Sequence, residues 1–297
     1  MLTRPVAAAW GAAGIVVAAG LAPLLVPGSS PPMSLGMLGL ILFLVVHGSL
    51  TYGRRGAVDF LLCVYPVAFA FEALAIATGF PFGFFTHNSP GLHILGVPPT
   101  VPVVYAVAGY VAWSIARLVI VGDRPGRLIG SARFVVPPVA ALVLAGYDAV
   151  IDPGGATVGR QWSYGDPSGL FGVPLTNFLG WVVTGWVAFQ LFALLAPPAR
   201  RIGPASVLPP VVWLAVYLPS VGTFVTGVSA DPTDAVAVAG RTFLVADIQE
   251  SAVIVGLFSM GTPALMALAC VLLARDTADV PDRGPASPPF RGMRRSG

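Results

Sequence analysis

Charge is what this chain has little of. Only 10% of its 297 residues are Asp, Glu, Lys or Arg, against roughly a quarter in a soluble domain, so a water-soluble globule is excluded. Lysine is absent: all 16 basic residues are arginine, which points to a GC-rich genome more than to a physical need. The arginines are dispersed through short loops and not massed on one face, so nucleic-acid binding is excluded despite a pI near 9.1. Cysteine is nearly missing too. Cys63 and Cys270 each sit inside an apolar run, which supports neither a disulfide framework nor a thiolate metal site. The few histidines are too loosely spaced to indicate zinc, and no metal site is expected.

Apolar length is what the chain has in excess. Hydrophobic side chains make up 56% of it and the mean hydropathy is +0.84. The apolar runs recur at about 20 residues, the length with which a helix crosses the hydrocarbon layer. Eight spans are expected, near 5–27, 33–53, 58–78, 100–121, 133–151, 174–196, 207–227 and 251–274. Helices are the natural assignment, because an open strand in lipid leaves backbone groups unpaired. The expected fold class is therefore all-α: a polytopic membrane helix bundle. A transmembrane domain over residues 1–275 is followed by a disordered cytoplasmic tail over 276–297, rich in Pro, Gly, Asp and Arg. Pro66, Pro137-Pro138, Pro209-Pro210 and Pro219 fall in or at the ends of spans, so kinked helices are expected. The first span reads as a retained helix and not a signal peptide, because it is long and Pro27-Gly28-Ser29-Ser30 offers no clear cleavage site.

Arginine placement sets the orientation. Fourteen of the 16 lie beside alternate loops or in the tail, leaving Arg160 and Arg241 on the other side. Both termini are then cytoplasmic, as an even span count also requires, and the expected location is the cell membrane.

Three longer outer loops, 79–99, 152–173 and 228–250, collect His87, His93, Asp152, Asp166, Asp231, Asp234, Arg241, Asp247 and Glu250 among many aromatics. Two carboxylates sit deeper. Glu72 lies 13 residues beyond Asp59 and Asp148 lies 14 beyond Phe134, each on an outward-running span. At 1.5 Å per residue both travel roughly 20 Å and reach a similar depth. Asn177, three residues into an inward-running span, comes to the same level. Two acids and an amide at one depth on three helices can face one cavity. A charge in hydrocarbon costs at least ~2.5 kcal/mol, and a carboxyl there lowers that cost by keeping its proton. Such an acid suits proton delivery to a weakly basic substrate.

Each candidate also has a plainer reading. Glu72 and Asp148 serve equally as hydrogen-bonding acids between helices. Asp152 precedes Pro153, where a helix must end. Asp247 and Glu250 have the spacing of a capping box before the last span. Asp231 and Asp234 flank a turn proline, Arg241 neutralises nearby acids, and His47, near Arg54, reads as interfacial. The aromatics read either as an interfacial belt or as the lining of a cavity.

Three segments carry a family resemblance: Glu72-Ala73-Leu74 leading to Gly79-Phe80-Pro81-Phe82-Gly83 and Leu95-Gly96-Val97-Pro98; Asp148-Ala149-Val150-Ile151-Asp152-Pro153; and Trp162-Ser163-Tyr164 with Phe171-Gly172-Val173-Pro174-Leu175-Thr176-Asn177-Phe178-Leu179-Gly180-Trp181. In this order and on these spans, the chain resembles the membrane carotenoid biosynthesis proteins typified by carotenoid 1,2-hydratases, including the bisanhydrobacterioruberin hydratases. The resemblance is detailed from about residue 60 to 190. It implies addition of water to the terminal 1,2 double bond of an acyclic or monocyclic carotenoid end group, with no cofactor. Glu72 or Asp148 is then the proton donor, with Asp152 and Asn177 holding water or tuning the acid. Phe80, Phe82, His87, Trp162, Tyr164, Phe171 and Trp181 become the candidate substrate-binding residues, and Arg241, Asp247 and Glu250 further polar candidates. The expected partners are a lipophilic isoprenoid or carotenoid in the bilayer, membrane lipids and other carotenoid-pathway enzymes. Thr86-His87-Asn88-Ser89-Pro90-Gly91-Leu92-His93 departs from the family's acidic, Tyr-containing pattern, so the substrate differs from the usual one if this loop shapes its mouth.

Other classes stay open. A terpene cyclase captures the same protonated alkene with another double bond. In a membrane prenyltransferase, Asp148 and Asp152 would bind a magnesium diphosphate. A proton-coupled transporter would use Glu72 and Asp148 as a relay.

Overall fold

A computed structural model of the chain describes residues 3–26, 33–226 and 233–278. Among them are eight α-helices: α1 (Arg4–Leu25), α2 (Met33–Thr78), α3 (Thr100–Val121), α4 (Ala132–Asp152), α5 (Leu175–Leu195), α6 (Leu208–Thr226), α7 (Val245–Gly256) and α8 (Thr262–Ala278). Two antiparallel strand pairs are the only sheets among the described residues. The chain is an all-α bundle in which seven helical stretches are long and apolar enough to cross a membrane.

The longest of these, α2, is not one rod. In a straight helix Phe43 and Phe60 would lie about 25 Å apart, yet both pack on the ring of Tyr110, at 6.1 and 5.4 Å between centroids. The chain folds back at Gly53, whose φ of 77° and ψ of 165° are not helical and are open almost only to glycine. The two arms, 33–52 and 54–78, correspond to the second and third expected spans. The eighth begins earlier than its hydropathy indicates: α7 starts at Val245, and a π-helical turn over Leu257–Gly261 carries it into α8. Leu244 occupies the position before the helix, with no side-chain cap. Asp247 is therefore a first-turn acid favouring the helix dipole, and not the capping residue of a box.

The core is built around α3, buried continuously from Tyr105 to Leu118. A helix apolar on every side belongs at the centre of its bundle. It packs on α2 and α4, while α4 packs on α5 and α1 on α2 and α6. Phe60, Tyr110, Trp113 and Phe192 interlock edge to face at mid-bundle, with Phe189 stacked on Phe60 and tilted against Trp113. Pro66, Pro137, Pro138 and Pro219 lie inside helices, as expected. Pro153 does not end its helix outright. It lacks the N–H for an i→i−4 bond, and the chain continues as a π-helical turn, Pro153–Val158.

Two expectations were placed elsewhere by the structure. His47 is not interfacial: it is 2% exposed, with Nδ1 2.7 Å from the Tyr110 hydroxyl and Nε2 3.3 Å from the Ala205 carbonyl. The tail expected from residue 276 is helical to Ala278. Residues 279–297 with Arg283, Arg291, Arg294 and Arg295, the Pro27-Gly28-Ser29-Ser30 segment and Asp231 lie outside the described residues.

Candidate functional site

Depth along the helices brings Glu72 on α2, Asp148 and Asp152 on α4, and Asn177 on α5 to one end of the bundle. Asp148 and Asp152 are four residues apart and share a helix face. The three carboxyls are close enough to influence one another electrostatically. All are sealed from solvent, at 4%, 1% and 2% exposure for Glu72, Asp148 and Asp152.

Hydrogen bonds organise this cluster. Asn177, in the first turn of α5, donates both amide hydrogens, one to Asp148 Oδ2 and one to Asp152 Oδ2, each at 2.8 Å. The Tyr164 hydroxyl donates to Asp152 Oδ2 at 2.5 Å, and the Trp162 indole sits beside the same carboxyl. Across the cluster, His87 Nε2 lies 3.1 Å from Glu72 Oε2, and both side chains are buried.

A small strap delivers the three loop residues. Strands β1 (Phe85–His87) and β2 (Trp162–Tyr164) pair antiparallel, with Phe85 opposite Tyr164 and His87 opposite Trp162. Side chains alternate across a strand, so Phe85, His87, Trp162 and Tyr164 face inward while Thr86 and Ser163 face out. Asn88 ties the strap down, donating to the Ser163 hydroxyl at 2.7 Å and the Arg160 carbonyl at 3.1 Å. Strands of three residues are too short for alternation to be visible in the sequence.

Aromatic rings close the site. Trp181, one turn beyond Asn177, stacks on Tyr105 of α3 at 3.9 Å and 14°. Phe82 is 1% exposed and lies so close to α5 that a Cβ on Gly180 would stand 2.2 Å from its ring. The Phe82 carbonyl accepts from Thr176 Oγ1 at 3.1 Å. Tyr105 escaped the sequence reading. Its hydroxyl is buried with no hydrogen-bond partner among the described residues and lies within electrostatic reach of Glu72, Asp148, Tyr164 and Asp152. Five residues into an inward-running span, it sits at nearly the depth of Asn177, so the same depth arithmetic applied to tyrosines would have found it.

Other candidates lie apart. Phe80 is exposed and packs on Phe71. Phe171 meets Phe243 on β4 (Arg241–Leu244), which pairs with β3 (Ala235–Val238). Arg241 lies over the Phe243 ring at 5.3 Å and donates to the Pro167 carbonyl at 3.1 Å. Asp247 and Glu250 are exposed on α7. Among the described residues no group of three or more His, Cys, Asp or Glu is arranged to hold a metal ion.

Residues 33–246 match the family model described as carotenoid biosynthesis protein. A bisanhydrobacterioruberin hydratase of Haloarcula japonica is 31% identical over 141 residues, which cover 47% of this chain and 45% of that protein. The chain thus spans less than half of that relative's length. No solved structure matches.

Proposed function

The chain belongs to the carotenoid biosynthesis protein family, and from that premise we propose that it adds water across the terminal 1,2 double bond of an acyclic or monocyclic carotenoid end group. It is an integral membrane protein. We place it in the cell membrane as a multi-pass protein with both termini cytoplasmic, which the arginine distribution supports. The carboxyl cluster then lies near the outer face, with the substrate held in the bilayer.

The observation that carries this reading is one buried amide holding two carboxyls. Asp152 accepts from both Asn177 and Tyr164 and is the better-supported anion; Asp148 accepts from Asn177 alone. A hydrogen bond donated to a carboxylate favours its charged form, and two neighbouring carboxyls resist losing both protons. Asp148 is therefore assigned the transferable proton. It passes to C2 of the alkene and leaves a tertiary cation at C1. The anionic Asp152 and the faces of Trp181 and Tyr105 stabilise that cation. Water attacks C1 and gives up a proton to Glu72, held by His87, and a proton returned from Glu72 to Asp148 restores the donor. The balance is one water added and no redox change, so the chemistry consumes no cofactor.

Expression in a strain making lycopene or another acyclic carotenoid tests this, with pigments analysed by mass. The expected product is heavier by one water, or by two if both ends react. An unchanged pigment profile across several acyclic substrates would overturn the reading. The near-complete burial of the acids favours one second reading, proton-initiated cyclisation, because exclusion of water leaves the cation to a neighbouring double bond. A product of unchanged mass and altered retention would identify it.

A further inference from the structure

We propose that the Tyr105 hydroxyl holds the water molecule that captures the cation, and so decides whether a protonated end group becomes an alcohol or reverts to a hydrocarbon. The assignment rests on the hydratase reading and adds to it the group that binds the second substrate. Tyr105 lies on α3, in the buried centre of the bundle, and is 1% exposed. Its ring stacks on Trp181 at 3.9 Å and 14°. In a close-packed interior such a stack fixes the direction of the phenol, which cannot swing toward a new partner.

The hydroxyl has no hydrogen-bond partner among the described residues. A buried hydroxyl left so costs free energy, and such groups are ordinarily met by protein or by ordered water. The acceptors around it are committed elsewhere. Asp148 and Asp152 both accept from Asn177, and Asp152 also from Tyr164, while Glu72 is engaged by His87. Glu72, Asp148 and Asp152 nevertheless act on Tyr105 electrostatically, Glu72 the most strongly of the three. Polar groups that influence one another without touching have the spacing that a bridging water fills.

The chemistry on the two sides of that gap selects water. The ligand must accept from a phenol and donate to a carboxylate. A metal cation would satisfy oxygens alone and leave the phenol hydrogen without an acceptor. Water does both. One lone pair takes the Tyr105 O–H, one hydrogen goes to Glu72, and the second lone pair is free to face C1. Capture forms the O–C1 bond and passes one water proton to Glu72; the other hydrogen stays on oxygen in the alcohol. Where the water is not held, the cation loses a proton from C2 or an adjacent methyl to a carboxylate and becomes an alkene again, or closes on another double bond.

The test runs the full chain in deuterium oxide with lycopene, comparing it with Tyr105→Phe. The Asp148 carboxyl then delivers a deuteron to C2, so each cation is marked. Capture adds deuterated water to the marked end group, whereas failed capture gives labelled pigment without oxygen. In Tyr105→Phe the stack and the proton donor remain, and the ratio of labelled unhydrated pigment to hydrated pigment should rise about tenfold. Tyr217→Phe removes another buried hydroxyl, one that donates to the Val253 carbonyl, and should leave the ratio at its original value. A purely structural role for Tyr105 lowers both products together, and an unchanged ratio would overturn the proposal. A second measurement needs no turnover: an experimental structure that resolves water should show one within hydrogen-bond distance of both Tyr105 Oη and the Glu72 carboxyl, lost in Tyr105→Phe. No water there in the unmodified protein would overturn the proposal whatever the pigments show. A water there with neither labelling nor hydration of acyclic carotenoids would uphold the water site and sink the hydratase reading instead.

Discussion

Asn177 is the pivot of the site, because a neutral amide with two hydrogens can hold two acids without choosing between them. Asp148→Asn removes the assigned proton donor at nearly constant shape. Turnover should fall by ~10²-fold or more, with insertion and thermal midpoint retained; pigment analysis of membranes checks both. Tyr164→Phe leaves Asp152 its bond from Asn177, so a smaller loss of about tenfold is expected. Tyr105→Phe is the sharper case. The stack on Trp181 survives and only an unpartnered hydroxyl is removed, so stability should not fall. Turnover should fall about tenfold if that hydroxyl orients water toward the cation, and measuring rate and midpoint together separates the two effects.

At the scale of elements, two glycines carry the geometry. Gly53→Ala forces a side chain into backbone space that glycine alone occupies freely, and should cost ~1–3 kcal/mol. Gly180→Ala drives a methyl into the Phe82 ring, a cost of about the same size, and also displaces the Phe82 carbonyl from Thr176. Equilibrium unfolding in detergent measures both. The sequence made the helices legible because their period and length are set by the bilayer, and it placed Glu72, Asp148 and Asn177 at one level because helical rise is constant. It concealed what depends on contact between distant segments. Neither the strap joining His87 to Trp162 nor the π-helical turn after Pro153 leaves a periodic trace.

For the molecule as a whole, the expected topology puts the carboxyl cluster and most of the arginines on opposite sides of the membrane. With Cys63 and Cys270 replaced by Ala, Asp166→Cys should react with a membrane-impermeant thiol reagent in intact cells. Arg201→Cys should react only after lysis. The reverse pattern would invert the orientation.

Under the proposed function, the described residues offer one carboxyl cluster for proton delivery, shut beneath a strap and set at one end of the bundle. A long polyene with two identical tips offers them one at a time. Processing both then means letting go, turning round and docking afresh, so the half-finished species escapes and accumulates early in a time course, and its later disappearance competes with fresh starting pigment.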